Sequence, residues 1–321
     1  MAQKSYSATA PGSLMLLGEH AVLAGKSALV CAVNKRMRIT LTPNASQIVT
    51  INDTKLGSMQ LDLANLQIQA PFQFVISAIL IFKPRLQTGF NLDIDADFSS
   101  VMGLGSSAAV TAVTIAVLAQ WLDAAPLPAE KIFLLAREAI LAVQKLGSGA
   151  DLAASVYGGV INYSSEQPEI IPLSIIPDLT AVYCGYKTPT VEVIALVNSA
   201  KQRQPQIYAA IFQAMQICVQ EACVAIASSD WVALGEIFMQ HNGLQNALGT
   251  SNLLLDTLSR QLSAQPGIYG AKISGSGLGD CVIGLGTLSS TVFPLDTVQQ
   301  QHGVLQIPIT IDPRGLTYAD E

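Results

Sequence analysis

The sequence predicts an α+β protein with two domains. In each half of the chain, segments with strand periodicity come before segments with helical periodicity, which is typical of folds that segregate strands from helices. The chain has 321 residues, a length that suits two domains or one large α/β domain. Half of its residues are hydrophobic and 12% are charged, so we expect a large core and a lightly charged surface.

The first half of the chain, residues 1–172, is predicted to begin with strands and to continue with helices. Its opening strands are apolar or alternate with β-branched residues, and they end at turn residues. The predicted elements are strands within 4–55, a helix over 72–85, a strand over 91–98, helices over 106–122 and 128–146, a short helix after the loop that starts at 146, and a strand over 159–165. A further strand over 169–175 closes this half.

The second half, residues 173–321, is predicted to open with a strand near Pro177. Long segments with helical periodicity follow this strand. The predicted elements are a strand over 178–187, helices over 190–202, 206–228, 230–247 and 256–264, a strand, glycine-rich turn and strand over 270–286, and a strand with a tail from 301 onward.

Charge and cysteine usage exclude several classes of function. A formal net charge of −6, with 17 Lys and Arg against 23 Asp and Glu, argues against nucleic acid as a main partner. The N-terminal segment is polar, and the apolar run over 108–122 is short for a membrane span. Five cysteines without CxxC spacing and three distant histidines fit reduced thiols rather than disulfides or a zinc site. We therefore expect a cytoplasmic protein with no nucleic-acid or membrane partner.

The first stretch that points to chemistry is PGSLMLLGEHAVLAG, from Pro11 to Gly25. Glu19 and His20 stand at the end of an apolar strand, where burial of a charge costs about 2 to 5 kcal/mol unless the charge is paired. A functional pair at a strand end is one interpretation. A strand-end turn with a solvated Glu and His is the other.

The second stretch is VMGLGSSAAVTAVTIAVLAQWL, residues 101–122, in which a glycine-rich loop leads directly into an apolar helix. The N–H groups of a first helical turn have no partner within the helix, and the helix dipole favours an anion there. The loop therefore predicts a phosphate site, although no Lys follows the last glycine and the sequence is not a Walker motif. An ordinary N-cap is the alternative.

Two further stretches carry small residues around an acid. In LGSGADLAAS, Asp151 is a lone carboxylate that could accept a hydroxyl proton, or could simply cap a helix. In KISGSGLGDCV, from Lys272 to Val282, the glycines could bend the chain around a ligand, or form a tight hairpin.

Taken in order, the four stretches resemble the GHMP kinase superfamily, and the resemblance covers nearly the whole chain. It implies a two-domain kinase fold, with domains over 1–172 and 173–321, that binds ATP and an acceptor in the cleft between the domains. It also implies that Asp151 is the catalytic residue, which accepts or orients the hydroxyl proton, and that Mg²⁺ is held by Ser107 and Glu138. The residues implied to hold the ATP phosphates are Gly103, Leu104, Gly105, Ser106, Ser107 and Ala108. Those implied to bind the acceptor are Ser13, Glu19, His20, Gly149, Gly275 and Ser276.

The motifs that bear on the acceptor resemble two different families within the superfamily. GEHAVL and HNGLQNALGTSNLLLDTL, residues 241–258, resemble mevalonate kinases, whereas GSGADLAASVYGG resembles phosphomevalonate kinases. A second phosphate on the acceptor would need extra cations. The candidate cations are Lys35, Arg36, Arg38, Lys145 and Lys187. We expect phosphorylation of the 5-hydroxyl of mevalonate, with phosphomevalonate as the alternative acceptor and a homodimer as a further expectation.

The first stretch departs from the mevalonate kinase pattern at one residue. Those kinases have PGK where this chain has Pro11-Gly12-Ser13, and the family Lys is thought to stabilise developing charge at the acceptor hydroxyl. Ser13 has no charge, so more weight falls on Asp151, with Lys187 as a conceivable substitute cation. A superfamily member that binds its metabolite without turnover is the remaining alternative.

Overall fold

The computed structural model describes residues 4–99, 102–166, 169–175 and 177–319. The predicted outer domain ends, Met1 and Glu321, lie outside the described residues. The strands are β1 (Tyr6–Leu17), β2 (Ser27–Pro43), β3 (Ile48–Asp53), β4 (Gly57–Asp62), β5 (Phe90–Ala96), β6 (Val160–Ser164), β7 (Glu169–Leu173), β8 (Leu179–Tyr183), β9 (Ile268–Ser274), β10 (Cys281–Gly286), β11 (Leu305–Ile307) and β12 (Thr317–Tyr318). The α-helices are α1 (Gln73–Phe82), α2 (Ser106–Asp123), α3 (Ala129–Gln144), α4 (Ala150–Tyr157), α5 (Thr190–Arg203), α6 (Pro205–Ser228), α7 (Trp231–Ala247), α8 (Leu253–Ser263) and α9 (Thr297–His302).

Within the described residues, the strands form two sheets, one built from the first half of the chain together with β12, and one built from the second half. The eight-stranded sheet runs in the order β12-β1-β2-β5-β3-β4. Strand β6 pairs with the first residues of β2, Ser27–Cys31, and β7 pairs with β6. The four-stranded sheet runs in the order β11-β8-β10-β9. The pairs are antiparallel except β3 with β5, which is parallel, so segregated strands and helices give the predicted α+β class.

Strand β1 carries the first predicted motif into the middle of the molecule. Its pairing with β2 shifts register between Pro11 and Gly12, as at a β-bulge. A side chain at Gly12 would lie 2.6 Å from the carbonyl oxygen of Leu104, so only glycine allows the loop before α2 to approach the strand this closely. The bulge thereby brings Ser13 against the predicted phosphate loop.

Helix α2 is the central helix of the first half. It packs on β1 and β2 and also contacts α1, α3 and α4. By length and composition, α2 and α6 are both apolar enough to cross a membrane. In this fold, 61% of the most apolar 18-residue segment of α2 is buried, and 39% of that of α6. Apolar residues on all sides of α2 are accounted for by its position in the core.

Several element boundaries differ from the predicted ones for local reasons. Helix α1 ends at Phe82 rather than 85, because Pro84 cannot continue it and a 3-10 turn follows. Helix α8 begins at Leu253 rather than 256, because the Asn252 side chain accepts the N–H of Leu255 as an N-cap. Strand β4 and helix α9 were not predicted, and the predicted strand over 178–187 ends at Tyr183.

The last described residues return to the first sheet. Ala8 and Thr9 of β1 pair with Tyr318 and Thr317 of β12. The guanidinium of Arg36 on β2 forms a 2.5 Å ion pair with the buried carboxylate of Asp312. The boundary at residue 172 stays a prediction, and the structure adds that the end of the chain packs against the first half.

Candidate functional site

A cleft opens between the two sheets where the four glycine-rich stretches meet. Its walls come from the end of β1, the first turns of α2 and α4, the β9–β10 turn, and helix α5. Among the sequence-predicted site residues, those that line it are Glu19, His20, Gly103, Gly105, Ser106, Ser107, Ala108, Gly149, Asp151, Gly275 and Ser276. The fold therefore brings together stretches that are up to about 250 positions apart in the chain.

The loop before α2 is shaped as an anion cradle. Gly103 and Gly105 have φ angles of 68° and 64°, in the left-handed region that favours glycine. Gly105 is the N-cap of the 18-residue helix α2, and no side chain among the described residues caps it. The first-turn N–H groups and the positive end of the helix dipole therefore face the cleft, an arrangement that suits phosphate oxygens.

Ser13 joins this loop to the predicted catalytic acid. Its hydroxyl donates a 2.9 Å hydrogen bond to Oδ1 of Asp151, and its backbone N–H donates to the carbonyl of Leu104 at 3.0 Å. A Cβ at Gly105 would lie 2.0 Å from the Ser13 Oγ, so the loop packs directly on this hydroxyl. The anion cradle and the carboxylate are thus in contact with opposite sides of one buried serine.

Asp151 lies in the first turn of α4, whose N-cap is Gly149 with a φ of 90°. Burial raises the pKa of the Asp151 carboxyl, whereas the Ser13 hydrogen bond and the positive charge of Lys187 lower it, and the net direction is upward. A carboxylate with a raised pKa is a stronger base than a solvated aspartate, and the helix dipole still favours its negative charge.

Glu19 belongs to a buried polar cluster behind the cleft, which we call the Glu19 cluster and which consists of Glu19, Lys272 and His241. The Lys272 ammonium donates to Oε1 of Glu19 at 2.6 Å, and both side chains are almost fully buried. Burial would raise the pKa of Glu19, but Lys272 and its hydrogen bond hold the pKa below its usual value. The carboxylate predicted to place the acceptor is therefore paired with a lysine.

His241 completes the Glu19 cluster as a neutral ring. Its Nε2 accepts the backbone N–H of Gly18 at 2.9 Å, which places the remaining ring proton on Nδ1. Burial lowers the pKa of His241 to about 3. The imidazole thus binds the backbone of the GEH turn, and it ties α7 to the end of β1.

His20 faces the cleft from the same turn. It has a φ of 61°, a strained conformation for a residue with a side chain, and its Nε2 lies 2.8 Å from the carbonyl oxygen of Ser276. A carbonyl oxygen can only accept a hydrogen bond, so His20 is the donor through its Nε2–H. Burial lowers the pKa of His20, and the neutral ring links the first motif to the β9–β10 turn.

Three predicted residues do not line the cleft. Ser13 and Leu104 are buried directly behind it, where they support Asp151 and the phosphate loop. Glu138 is exposed on α3, and the cleft-lining residue of that turn is Ile140. Side chains two residues apart in a helix point in directions about 200° apart. Glu138 therefore points away from the predicted metal position.

Two further charged residues lie at the cleft: Asp280, which the prediction did not single out, and Lys187, which was named as a candidate cation. Asp280 lies in the fourth stretch, and Gly103 packs so closely on it that a Cβ there would lie 2.7 Å from the Asp280 Cβ. The Asp280 side chain is 6% exposed, its Oδ1 has no hydrogen-bond partner among the described residues, and burial raises its pKa to about 6. Lys187 lines the cleft from the loop after β8.

Helix α5 forms an apolar wall that no motif indicated. Thr190, Val191 and Ile194 line the cleft from its first turns, opposite Ile140 and Gln144 of α3. The described residues contain no group of three His, Cys, Asp or Glu side chains arranged to hold a metal ion. The site therefore combines an anion cradle, a hydrogen-bonded carboxylate and an apolar wall.

Comparisons with known proteins agree with this arrangement. The model of the GHMP kinases N terminal domain matches residues 73–159, and that of the GHMP kinases C terminal matches residues 222–291. The curated mevalonate kinase of Aeropyrum pernix is 30% identical over 289 residues, which cover 87% of each chain. That of Archaeoglobus fulgidus is 30% identical over 279 residues, covering 87% of this chain and 91% of the relative. The Methanococcus jannaschii mevalonate kinase structure has the same fold, with a TM-score of 0.80, 21% identity, and coverage of 97% and 99%.

Proposed function

The chain belongs to the GHMP kinase family, and from this premise we propose that it transfers the γ-phosphoryl group of ATP to the 5-hydroxyl of mevalonate. The observation that carries the proposal is the contact of Ser13 with both the Asp151 carboxylate and the loop that opens α2. Phosphoryl transfer needs an anion cradle and a proton acceptor close together, and little further covalent chemistry.

The residues around α2 fit a nucleoside triphosphate. The uncapped first turn of an 18-residue helix and two glycines with positive φ let the phosphates approach the backbone. Gly103 to Ala108 would hold the phosphate oxygens, and the Ser107 hydroxyl would bind Mg²⁺ together with those oxygens and water. Mg²⁺, when bound, neutralises phosphate charge.

Asp151 would accept or orient the proton of the attacking hydroxyl. Its raised pKa makes it a better proton acceptor, and the Ser13 hydrogen bond holds one carboxylate oxygen so that the other can face the acceptor. Gly149, Gly275 and Ser276 would shape the wall around the acceptor, and His20 would hold the β9–β10 turn in position. Glu19 would act by fixing the GEH turn rather than by touching the acceptor.

Two observations favour mevalonate over its phosphorylated form. The curated relatives described above are named mevalonate kinase, at 30% identity. Of the cations proposed for a second phosphate, Lys187 lines the cleft, whereas Lys35, Arg36, Arg38 and Lys145 are not among its lining residues. An acceptor with an extra phosphate would bring about two more negative charges to a cleft with little positive charge.

The test is ADP formation by the purified protein with Mg·ATP, run in parallel with mevalonate and with 5-phosphomevalonate. We expect turnover with mevalonate. Turnover with phosphomevalonate alone would overturn the acceptor and show that GSGADLAASVYGG was the better guide. ATP binding without turnover of either acceptor would favour a metabolite-binding member of the family without catalysis.

We further propose a cytoplasmic location and a homodimer. Exposed apolar side chains on helix α6 include Ile207, Ile217 and Val224, which are 55%, 48% and 65% exposed. Ile217 and Val224 form an apolar stripe on one face of the helix, since a spacing of seven residues is close to two helical turns, whereas Ile207 lies about 80° around the helix from Ile217. Sedimentation equilibrium of the wild-type protein and of Ile217→Glu would test whether this stripe joins two copies.

A further inference from the structure

The cleft carries little positive charge for a site that would bind two anions. Among the described residues that line it, the carboxylates are Glu19, Asp151 and Asp280, and the one lysine or arginine is Lys187. Glu19 is already paired with Lys272. Two carboxylates therefore share the cleft with a single ammonium group, at the place where triphosphate and acceptor would meet.

The backbone that carries Lys187 is fixed against the fourth stretch, KISGSGLGDCV. The N–H of Asp280 donates to the carbonyl of Tyr186 at 3.0 Å, and the N–H of Cys184 donates to the carbonyl of Asp280 at 2.9 Å. The Thr188 hydroxyl donates to the carbonyl of Leu278 at 2.6 Å. These bonds bracket Lys187 on both sides, so its Cα has a defined position while its exposed side chain reaches over the cleft.

The carboxylates of Asp151 and Asp280 both interact electrostatically with the Lys187 ammonium. Attraction to Lys187 opposes the rise that burial produces in the pKa of Asp151 and of Asp280. Asp151 stands beside Ser13, and Asp280 stands beside Gly103 of the phosphate loop. Lys187 therefore lies within electrostatic reach of the proton acceptor and of the anion cradle together.

We propose that Lys187 is a catalytic residue, whose ammonium contacts the phosphoryl group in transit between the loop before α2 and the acceptor hydroxyl at Asp151. This inference rests on the proposed kinase function. The oxygen of the acceptor forms the new O–P bond, the bond from phosphorus to the ADP oxygen breaks, and the hydroxyl proton passes to Asp151. Lys187 exchanges no proton in this step and stabilises negative charge on the phosphoryl oxygens.

Lys272 and Arg36 are already paired with other groups. Lys272 is fully buried and donates to Glu19. Arg36 is held by Asp312 and by the carbonyl of Gly315. Ser13 has no charge, and its hydroxyl donates a hydrogen bond to Asp151. Among the lysines and arginines of the described residues, Lys187 is therefore the one that lines the cleft.

The test compares Lys187→Met and Lys187→Arg with wild type and with Lys131→Met, a charge-matched control at an exposed position of α3. We expect Lys187→Met to lower kcat by about 10²- to 10³-fold, because it removes a positive charge that stabilises the transition state. The KM for mevalonate should change by less than about threefold. Lys187→Arg should retain an intermediate kcat, because the charge persists in a different geometry. The thermal midpoint of each variant should match wild type, since the side chain is exposed.

The pH profile supplies a readout that a structural role would not move. Lys187 lowers the pKa of Asp151, so the acid limb of kcat/KM should shift to higher pH in Lys187→Met. The other groups coupled to Asp151 among the described residues are Ser13, Glu19, Asp280 and Cys31, and all are unchanged in this variant. Lys131→Met should leave the profile in place.

Restoring the amine closes the test. Lys187→Cys treated with 2-bromoethylamine regains a lysine-like ammonium, and we expect at least a tenfold recovery of kcat, with treated wild type as the control for Cys223. Wild-type kinetics and an unmoved acid limb in Lys187→Met would overturn the inference while leaving the kinase function intact. Absence of wild-type turnover with mevalonate and with phosphomevalonate would overturn both.

Discussion

The hydroxyl of Ser13 and the carboxylate of Asp151 lie 2.9 Å apart, although 138 positions separate them in the chain. The bond joins β1 to the first turn of α4, and Gly105 of the phosphate loop packs on the same hydroxyl. Ser13 is therefore positioned to orient the carboxylate that we propose as the proton acceptor, and it does so without a charge of its own.

Replacing Ser13 with Ala should weaken catalysis through Asp151. The hydrogen bond lowers the pKa of the carboxyl, so its loss should shift the acid limb of kcat/KM to higher pH. We expect kcat to fall about 3- to 30-fold, in keeping with one charge-assisted hydrogen bond of about 1 to 2 kcal/mol. Ser7→Ala, on the same strand, is the control, and an unmoved acid limb in Ser13→Ala would contradict the role given to Ser13.

Asp151→Asn should separate activity from stability. We expect turnover to fall by about 10³-fold or more, because the proton acceptor is lost, while ATP affinity stays near wild type. Burial raises the pKa of Asp151 above its unfolded value, so ionisation opposes folding as pH rises through that interval, and Asn removes this penalty. The thermal midpoint at pH 8 should equal or exceed that of wild type; full turnover, or a lower midpoint, would argue against this account.

The Glu19 cluster makes a prediction about stability. Lys272→Met leaves a buried carboxylate without its partner and should lower the free energy of unfolding by about 3 to 5 kcal/mol. The double variant Glu19→Gln with Lys272→Met should lose less, because neither charge remains. Arg260→Met, which breaks the exposed pair with Asp256, is the control and should cost about 0.5 kcal/mol or less. Urea unfolding measures all three, and equal losses for the single and double variants would refute the pairing argument.

Asp280 predicts a pH dependence of stability with a defined sign. Its pKa is about 6 in the fold against 3.8 for an unperturbed Asp, so folding loses stability as pH rises between those values. The gap corresponds to about 3 kcal/mol, so Asp280→Asn should stabilise the protein by up to that amount at pH 8. Below pH 4 the difference should vanish. The exposed Asp95→Asn variant is the control, and a pH-independent difference for Asp280→Asn would exclude burial as the cause.

Local patterns in the sequence were enough to predict the fold class and many of the residues that line the cleft. The α+β class and the family were confirmed, because strand and helix periodicities are long in this chain and the four glycine stretches occur in a characteristic order. Gly103 and Gly105 were predicted because a glycine-rich helix start marks an anion site. Asp151 was predicted because it is a lone carboxylate in a loop of small residues. Their individual roles stay predictions.

Residues that depend on tertiary placement could not be predicted in the same way. Lys187 was named in the sequence only as one of five candidate cations, with no motif of its own, and the hydrogen bonds around Asp280 are what place it at the cleft. Glu138 remains an untested metal ligand, but the structure places it on the exposed side of α3, because residues two positions apart in a helix point to nearly opposite faces and Ile140 is the residue that lines the cleft. Strand β12 is two residues long, too short to carry a periodicity.

The return of β12 to β1 means that the polypeptide passes between the two sheets twice. One passage lies between β7 and β8, and the other between β11 and the bridge of Ile311 with Val33. The second sheet is therefore joined to the first by the chain at both of its ends, in addition to the buried contacts of Glu19 with Lys272 and of Gly18 with His241.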